Sequence, residues 1–235
     1  MVRRGARRQA HSPPEAAAGV SGTHVGRRLF LAGTAASLGV VAFGGGLPAA
    51  VRSWLESPLG DLSPSDGFHF YSVTGSIPQW DPQTWRLVVD GLVDRPLALA
   101  RDELIAARLV TVTADFHCVT GWSVSAVRWA GLPVRALLEQ AGLRGRAAAV
   151  RFESADGVYV DYLDLPTAQA PGVIIAVNMN GKPLTAERGA PVRLVVPFFY
   201  GYKGVKWLRR LTAVAEVGTG YWEARGYATD ARIRH

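Results

Sequence analysis

Short apolar runs punctuated by turn-forming pairs constrain this chain more than any other feature. Asp90-Gly91, Asp156-Gly157 and Asn180-Gly181 suit turns that need positive φ, and each follows or separates a run rich in Val, Ile, Tyr or Phe. Residues 85–89, 111–117, 129–132, 150–154, 158–161, 173–179, 192–196 and 211–217 read as strands by the same criteria. Helices are few. Residues 99–108 suit a brief one. A clearer one starts at Pro133, with Val134, Leu137, Leu138 and Ala141 forming an i, i+3, i+4, i+7 stripe before Gly142. The expectation is a β-rich α+β fold in a single domain. No strand, Gly-rich loop and helix follow one another, which excludes a dinucleotide-binding unit.

The charge is unevenly distributed. The formal net charge is +7, yet residues 1–28 hold Arg3, Arg4, Arg7, Arg8, Arg27 and Arg28 against Glu15 alone. The remainder is close to neutral, which argues against nucleic acid as a partner. Arg27-Arg28 runs into Leu29-Phe30-Leu31 and then an uncharged stretch rich in Gly and Ala as far as Val51. That stretch is long enough to cross a bilayer core of roughly 30 Å, but it is only weakly hydrophobic. It resembles a twin-arginine export signal, and a simple signal anchor is the alternative. The expected organisation is a signal or anchor over 1–51, a linker over 52–66, the folded domain over 67–220 and a tail over 221–235. The expected location is outside the cytoplasm, reached by the twin-arginine pathway, with or without anchorage to the membrane.

The chain has a single cysteine, Cys118. No intrachain disulfide can form, and a lone thiol in an oxidising compartment is a liability unless it is buried, bound or chemically used. A buried cysteine often serves only as a small apolar side chain. Zinc is poorly served: His117 adjoins Cys118, but neighbours on a strand point to opposite faces, and His69 is the one other histidine of the domain core. Attachment of a c-type haem needs two cysteines. A cofactor-free enzyme using Cys118 or Ser123 lacks a Gly-x-Ser-x-Gly elbow and any acid–base partner placed by spacing.

A second constellation runs from Gly189 to Trp207. Arg193 interrupts the strand-like run Pro191-Val192-Arg193-Leu194-Val195-Val196-Pro197, and a guanidinium buried there needs a partner. Gly201 and Gly204 allow backbone amides to approach a ligand closely, and Lys206 adds charge. Together they outline a phosphate cradle. Lys203 reads as a solvated strand residue.

Cys118-Val119-Thr120-Gly121-Trp122-Ser123, the segment from Trp129 to Leu138, and Pro191 to Pro197 with Tyr200-Gly201-Tyr202-Lys203-Gly204-Val205-Lys206-Trp207 are similar to the molybdopterin-binding domain of the sulfite-oxidase superfamily, and nearest to its methionine-sulfoxide-reductase branch. The resemblance spans about residues 66–220. It implies a molybdenum–molybdopterin cofactor with Cys118 as thiolate ligand to the metal. It also implies cofactor contacts from Phe70, Tyr71, Ser72, Ser154, Arg188, Arg193, Gly204, Val205 and Lys206. The reductase branch has an asparagine where Arg188 stands, a threonine at Ser154 and Tyr-Glu at Tyr71-Ser72.

Cys118 is expected to be catalytic, and His117 is a candidate proton donor beside it. Trp122 and Trp129 read as walls or core, and Tyr159 and Tyr162 as packing residues that could line a pocket. The expected activity is oxygen-atom transfer, with the cofactor carrying the redox chemistry on a small-molecule substrate and a separate redox partner handling electrons. Reduction of S- or N-oxides is favoured over oxidation of sulfite, because no charge follows Cys118 until Arg128. The alternative is a non-catalytic exported binding module on the same fold.

Overall fold

A computed structural model describes residues 67–233, so the signal and linker expectations lie outside the described residues. The described chain builds two sheets. In the first, β2 (Leu97–Ala100), β1 (Arg86–Gly91), β10 (Leu208–Val214), β5 (Ala149–Ser154) and β6 (Val160–Asp164) lie side by side in that order. All neighbours are antiparallel except β1 and β10, which run parallel. In the second, β3 (Val110–His117), β4 (Ser123–Pro133) and β7 (Ile174–Met179) are consecutive, and β7 pairs with both β8 (Lys182–Pro183) and β9 (Arg193–Val195). Three short helices intervene: α1 (Arg101–Ala106), α2 (Val134–Ala141) and α3 (Leu165–Ala168).

Strand β7 links the two regions of the core. Its first four residues, Ile174 to Val177, are buried on both faces, hence their unbroken apolar sequence. Ile175 and Val177 enter the larger cluster with Leu87, Phe152 and Leu211 of the first sheet, whereas Ile174 and Ala176 join Phe68, Val127 and Trp129 in a smaller one. Helix α2 buries all four residues of its stripe against the larger cluster and ends at Gly142 with φ of 72°. The larger core therefore holds the sheets, and the smaller one supports the site.

The turn pairs behave in two ways. Asn180 and Gly181 have φ of 51° and 80°, and Met179 opposes Lys182, so they form a two-residue hairpin turn. Asp90-Gly91 instead stays within β1, opposite Thr212 and Ala213 of β10. Gly91 is required there because a Cβ would lie 2.8 Å from Thr212 Cγ2. The glycine serves strand approach and not chain reversal. Strand β4 is longer than its apolar residues suggest. Its first half, from Ser123, is mostly exposed and carries a positive-φ residue, Ala126, whose N–H donates to Asp115 Oδ1 at 2.8 Å.

Candidate active site

Cys118 sits at the tip of the β3–β4 hairpin. Its N–H donates to Trp122 O at 2.9 Å, Gly121 N–H donates back to Cys118 O at 3.1 Å, and Gly121 takes φ of 97°. This tight turn presents the half-buried thiol to a cavity of about 430 Å³, with Sγ 3.1 Å from Thr120 Oγ1. Phe116 and Trp122 stack at 5.5 Å between ring centroids, His69 stacks on Trp122 at 4.9 Å, and Phe68 packs 5.0 Å from Phe116. The sulfur thus opens onto an aromatic wall.

The cations come from a separate stretch. Arg188, Arg193 and Lys206 all line the same cavity. Arg193 is 4% exposed, and among the described residues it forms no ion pair. Its hydrogen bonds go to backbone carbonyls: Arg188 O and Gly204 O at 3.3 Å, and Leu194 O at 3.5 Å. Its guanidinium also lies over Trp129, 5.1 Å from the ring centroid. Burial, then the nearby Arg188, lowers its pKa to about 10, so it stays charged at neutral pH. Lys206 Nζ donates to Tyr71 O at 2.6 Å and to Glu187 O at 3.3 Å. Burial, then Arg193 and Arg188, lowers its pKa to about 7. The buried Arg193 and the half-buried Lys206 face one space with their hydrogen bonds directed to backbone carbonyls, which makes a site for an anion.

Glycines keep that space open. A Cβ on Gly204 would meet Leu194 O at 3.0 Å and Arg193 Nη2 at 3.1 Å, and one on Gly201 would overlap the Phe116 ring. The donor set accordingly fits a phosphorylated, metal-carrying cofactor: a thiol on one wall, cations on another, and glycine backbone between. Among the described residues no group of three His, Cys, Asp or Glu side chains could hold a metal ion. Cys118 alone supplies too few ligands, so any metal beside it must arrive with a cofactor.

Of the residues singled out in the sequence, Cys118, Tyr71, Ser72, Ser154, Arg188, Arg193, Gly204 and Lys206 line the cavity. His117, Phe70 and Val205 do not. His117 Nδ1 lies 2.8 Å from Ser123 Oγ across the hairpin, as strand alternation dictates for the residue before Cys118. Phe70 lies beneath Lys206 Nζ at 4.4 Å and against Trp207, so it reaches the site through them. Val205 is fully buried in the larger core, and its carbonyl accepts from Leu194 N.

Lys203 corrects the expectation of a solvated residue. It is 3% exposed and bound to Asp161 and Glu223. Trp122 is a wall and Trp129 is core. Tyr159 lines the cavity, whereas Tyr162 is occupied against Gly218. Tyr221, Trp222 and Tyr227 also line it, and as aromatic residues outside any motif they carry no local signal; Tyr202 and Trp207 line it too, within the motif ending at Trp207 but with no role that the sequence assigns them.

The fold and this cavity define a molybdopterin-dependent oxidoreductase. Residues 74–222 match the oxidoreductase molybdopterin binding domain, and the chain belongs to that family, within the sulfite-oxidase superfamily. The family uses a molybdenum cofactor, and this chain is an enzyme of it. Over 155 residues it is 37% identical to the oxidoreductase YuiH of Bacillus subtilis, covering 66% of this chain and 78% of that protein. It is 33% identical over 159 residues to the protein-methionine-sulfoxide reductase catalytic subunit MsrP of Pseudomonas syringae, covering 60% of this chain but 47% of that one. The crystal structure of the sulfane dehydrogenase SoxCD from Paracoccus pantotrophus superposes with a TM-score of 0.56 at 26% identity, covering 60% of this chain and 41% of that one.

Proposed function

We propose that the protein reduces S- or N-oxides by oxygen-atom transfer outside the cytoplasm, drawing electrons from a separate redox partner. The observation that carries this reading is the uncharged wall around Cys118. The turn from Cys118 to Trp122 contributes Val119, Thr120 and Trp122 to the cavity and no charge, while Arg188, Arg193 and Lys206 all come from the 188–206 stretch. A neutral sulfoxide suits such a wall better than an anion such as sulfite does. The similarity to methionine-sulfoxide reductase subunits points the same way.

When bound, the cofactor supplies the two-electron, oxygen-transfer chemistry, and the protein holds and orients it. In this reading Cys118 gives its thiolate to the metal. Arg193, Lys206 and the Gly204 backbone hold the cofactor's phosphate, with Tyr71, Ser72, Ser154 and Arg188 around the pterin. Phe116 and Trp122 exclude water and hold the apolar flanks of the substrate. The balance is a sulfoxide plus two electrons and two protons giving a thioether and water. Arg27-Arg28 would direct the loaded, folded protein through the twin-arginine route.

Steady-state assays decide the substrate. Methionine sulfoxide with a reduced viologen dye should be turned over far faster than sulfite with an electron acceptor. Efficient sulfite oxidation beside negligible sulfoxide reduction would overturn the proposed direction.

A further inference from the structure

Lys203 is a buried cation outside the cofactor cradle. Its Nζ donates to Asp161 Oδ1 at 2.5 Å, to Glu223 Oε1 at 2.6 Å and to Tyr162 O at 2.9 Å. Asp161 and Lys203 are nearly inaccessible, and the side chain of Glu223 is 5% exposed. Burial raises the Asp161 pKa to about 6 against the opposing pull of Lys203, so Asp161 is ionised at neutral pH. One cation between two buried carboxylates is a poor device for stability, because desolvation offsets most of the attraction. Its position is therefore the informative property.

The cluster joins three segments. Asp161 is on β6, Lys203 closes the turn Gly201–Lys203, and Glu223 opens the turn Glu223–Arg225. The second contributes Gly201 and Tyr202 to the cavity; the third is flanked by Tyr221, Trp222 and Tyr227, which form another part of its wall. The backbone bonds of this last segment are mostly internal: Ala224 N to Gly220 O, Arg225 N to Trp222 O, Gly226 N to Glu223 O and Tyr227 N to Trp222 O. Tyr221 N to Val160 O at 2.8 Å ties its start to β6, and Tyr202 Oη donates to Ala228 O at 2.6 Å near its end. Between those ties, Glu223 is the polar link to the body, and its Oε2 also accepts from Gly220 N at 2.8 Å. Gly220 must be glycine, because a Cβ there would lie 2.7 Å from Asp161 Oδ1.

We infer that Lys203 is a positioning residue that clamps the aromatic segment 221–227 over the cavity, through Glu223, and so sets how tightly substrate is held. The inference rests on the reading of this cavity as the substrate site. The clamp touches neither Cys118 nor the phosphate-binding cations, so loosening it acts on binding and not on the chemical step.

The test uses the cofactor-loaded enzyme with Glu223→Gln, which keeps the size and the acceptor for Gly220 while Lys203 retains Asp161. Lys203→Met is the second, more severe variant. In Glu223→Gln, KM should rise by about tenfold with kcat within about twofold, the worth of one charge-assisted hydrogen bond. KM is read for whichever of the sulfoxide and sulfite the parent enzyme turns over, so a wrong substrate direction does not mask the result. Amide hydrogen exchange, which needs no substrate, should show protection at residues 222–227 falling by about tenfold or more while β5 and β10 are unchanged. Unchanged protection at 222–227 overturns the inference, as does a fall in kcat or molybdenum content at constant KM.

Discussion

Replacing Lys206 with methionine should weaken cofactor retention without unfolding the protein. Methionine preserves much of the side-chain stem between Phe70 and Trp207, whose ring centroids lie 4.4 and 4.3 Å from Nζ. It removes the donor to Tyr71 O and Glu187 O but also removes a cation crowded by Arg193 and Arg188. These effects oppose each other, so the cofactor-free variant should stay within about 1 kcal/mol of the parent, a melting shift of about 2–4 °C at most. The loss to an anionic cofactor is one-sided. One charge-assisted hydrogen bond is worth roughly 1.5–3 kcal/mol, or about ten- to hundredfold in affinity.

The pH dependence has a definite sign. An anion favours protonated Lys206, whose pKa in the cofactor-free protein is about 7. Affinity should be flat below that pH and fall as pH rises through it. In the cofactor-free protein the depressed pKa makes the Lys206 contribution to stability rise between about pH 7 and 10.5, where the unfolded chain still holds the proton. Molybdenum by elemental analysis and pterin by fluorescence, after dialysis at pH 6 and pH 8.5, read the effect. Equal cofactor content in parent and variant at both values, or a melting loss well beyond the stated range, would refute this account of the cradle.

Cys118→Ser should abolish turnover while leaving melting nearly unchanged, since the sulfur is half-buried and its neighbour Thr120 Oγ1 can meet a hydroxyl equally well; turnover at the parent rate would remove Cys118 as metal ligand. Gly131→Ala should cost about 1–3 kcal/mol and several degrees of melting temperature, because the added Cβ would overlap Ile175 O and lie 2.6 Å from Ala176 Cα between β4 and β7. Arg27→Lys with Arg28→Lys should leave loaded protein in the cytoplasm, measured by fractionation; undiminished export would point to a different signal.

The legible parts of the fold and site are those with local signatures. The α2 stripe and the Asn180-Gly181 turn depend on residues within a few positions of one another, and both form as their patterns require. Cys118, Arg193, Gly204 and Lys206 stand within ordered motifs, and the fold brings them to one cavity. Lys203 has no such signature. Its partners Asp161 and Glu223 are 42 and 20 residues away, so a lysine in the glycine-flanked run Gly201-Tyr202-Lys203-Gly204 looks solvated until the chain is folded. Asp90-Gly91 misleads for a related reason: glycine also permits close approach of backbones, and only the pairing of β1 with β10 distinguishes that role from a turn. The first half of β4 has no strand signature in the sequence, because its exposed residues lack apolar alternation.

The two kinds of wall differ in how they are fixed. Arg193 lies in β9, paired to the doubly buried β7, and Lys206 is followed by Trp207, whose Nε1 donates to Ala186 O at 2.7 Å. The proposed anion-binding side is thus built into core packing, with its side chains positioned before any ligand arrives. Tyr221, Trp222 and Tyr227 instead belong to a segment held by a few hydrogen bonds and one ion cluster. Substitutions at the first wall should change whether cofactor stays. Substitutions at the second should change which substrate is accepted and how firmly, because a loosely tied aromatic wall can be repacked without disturbing the cofactor cradle.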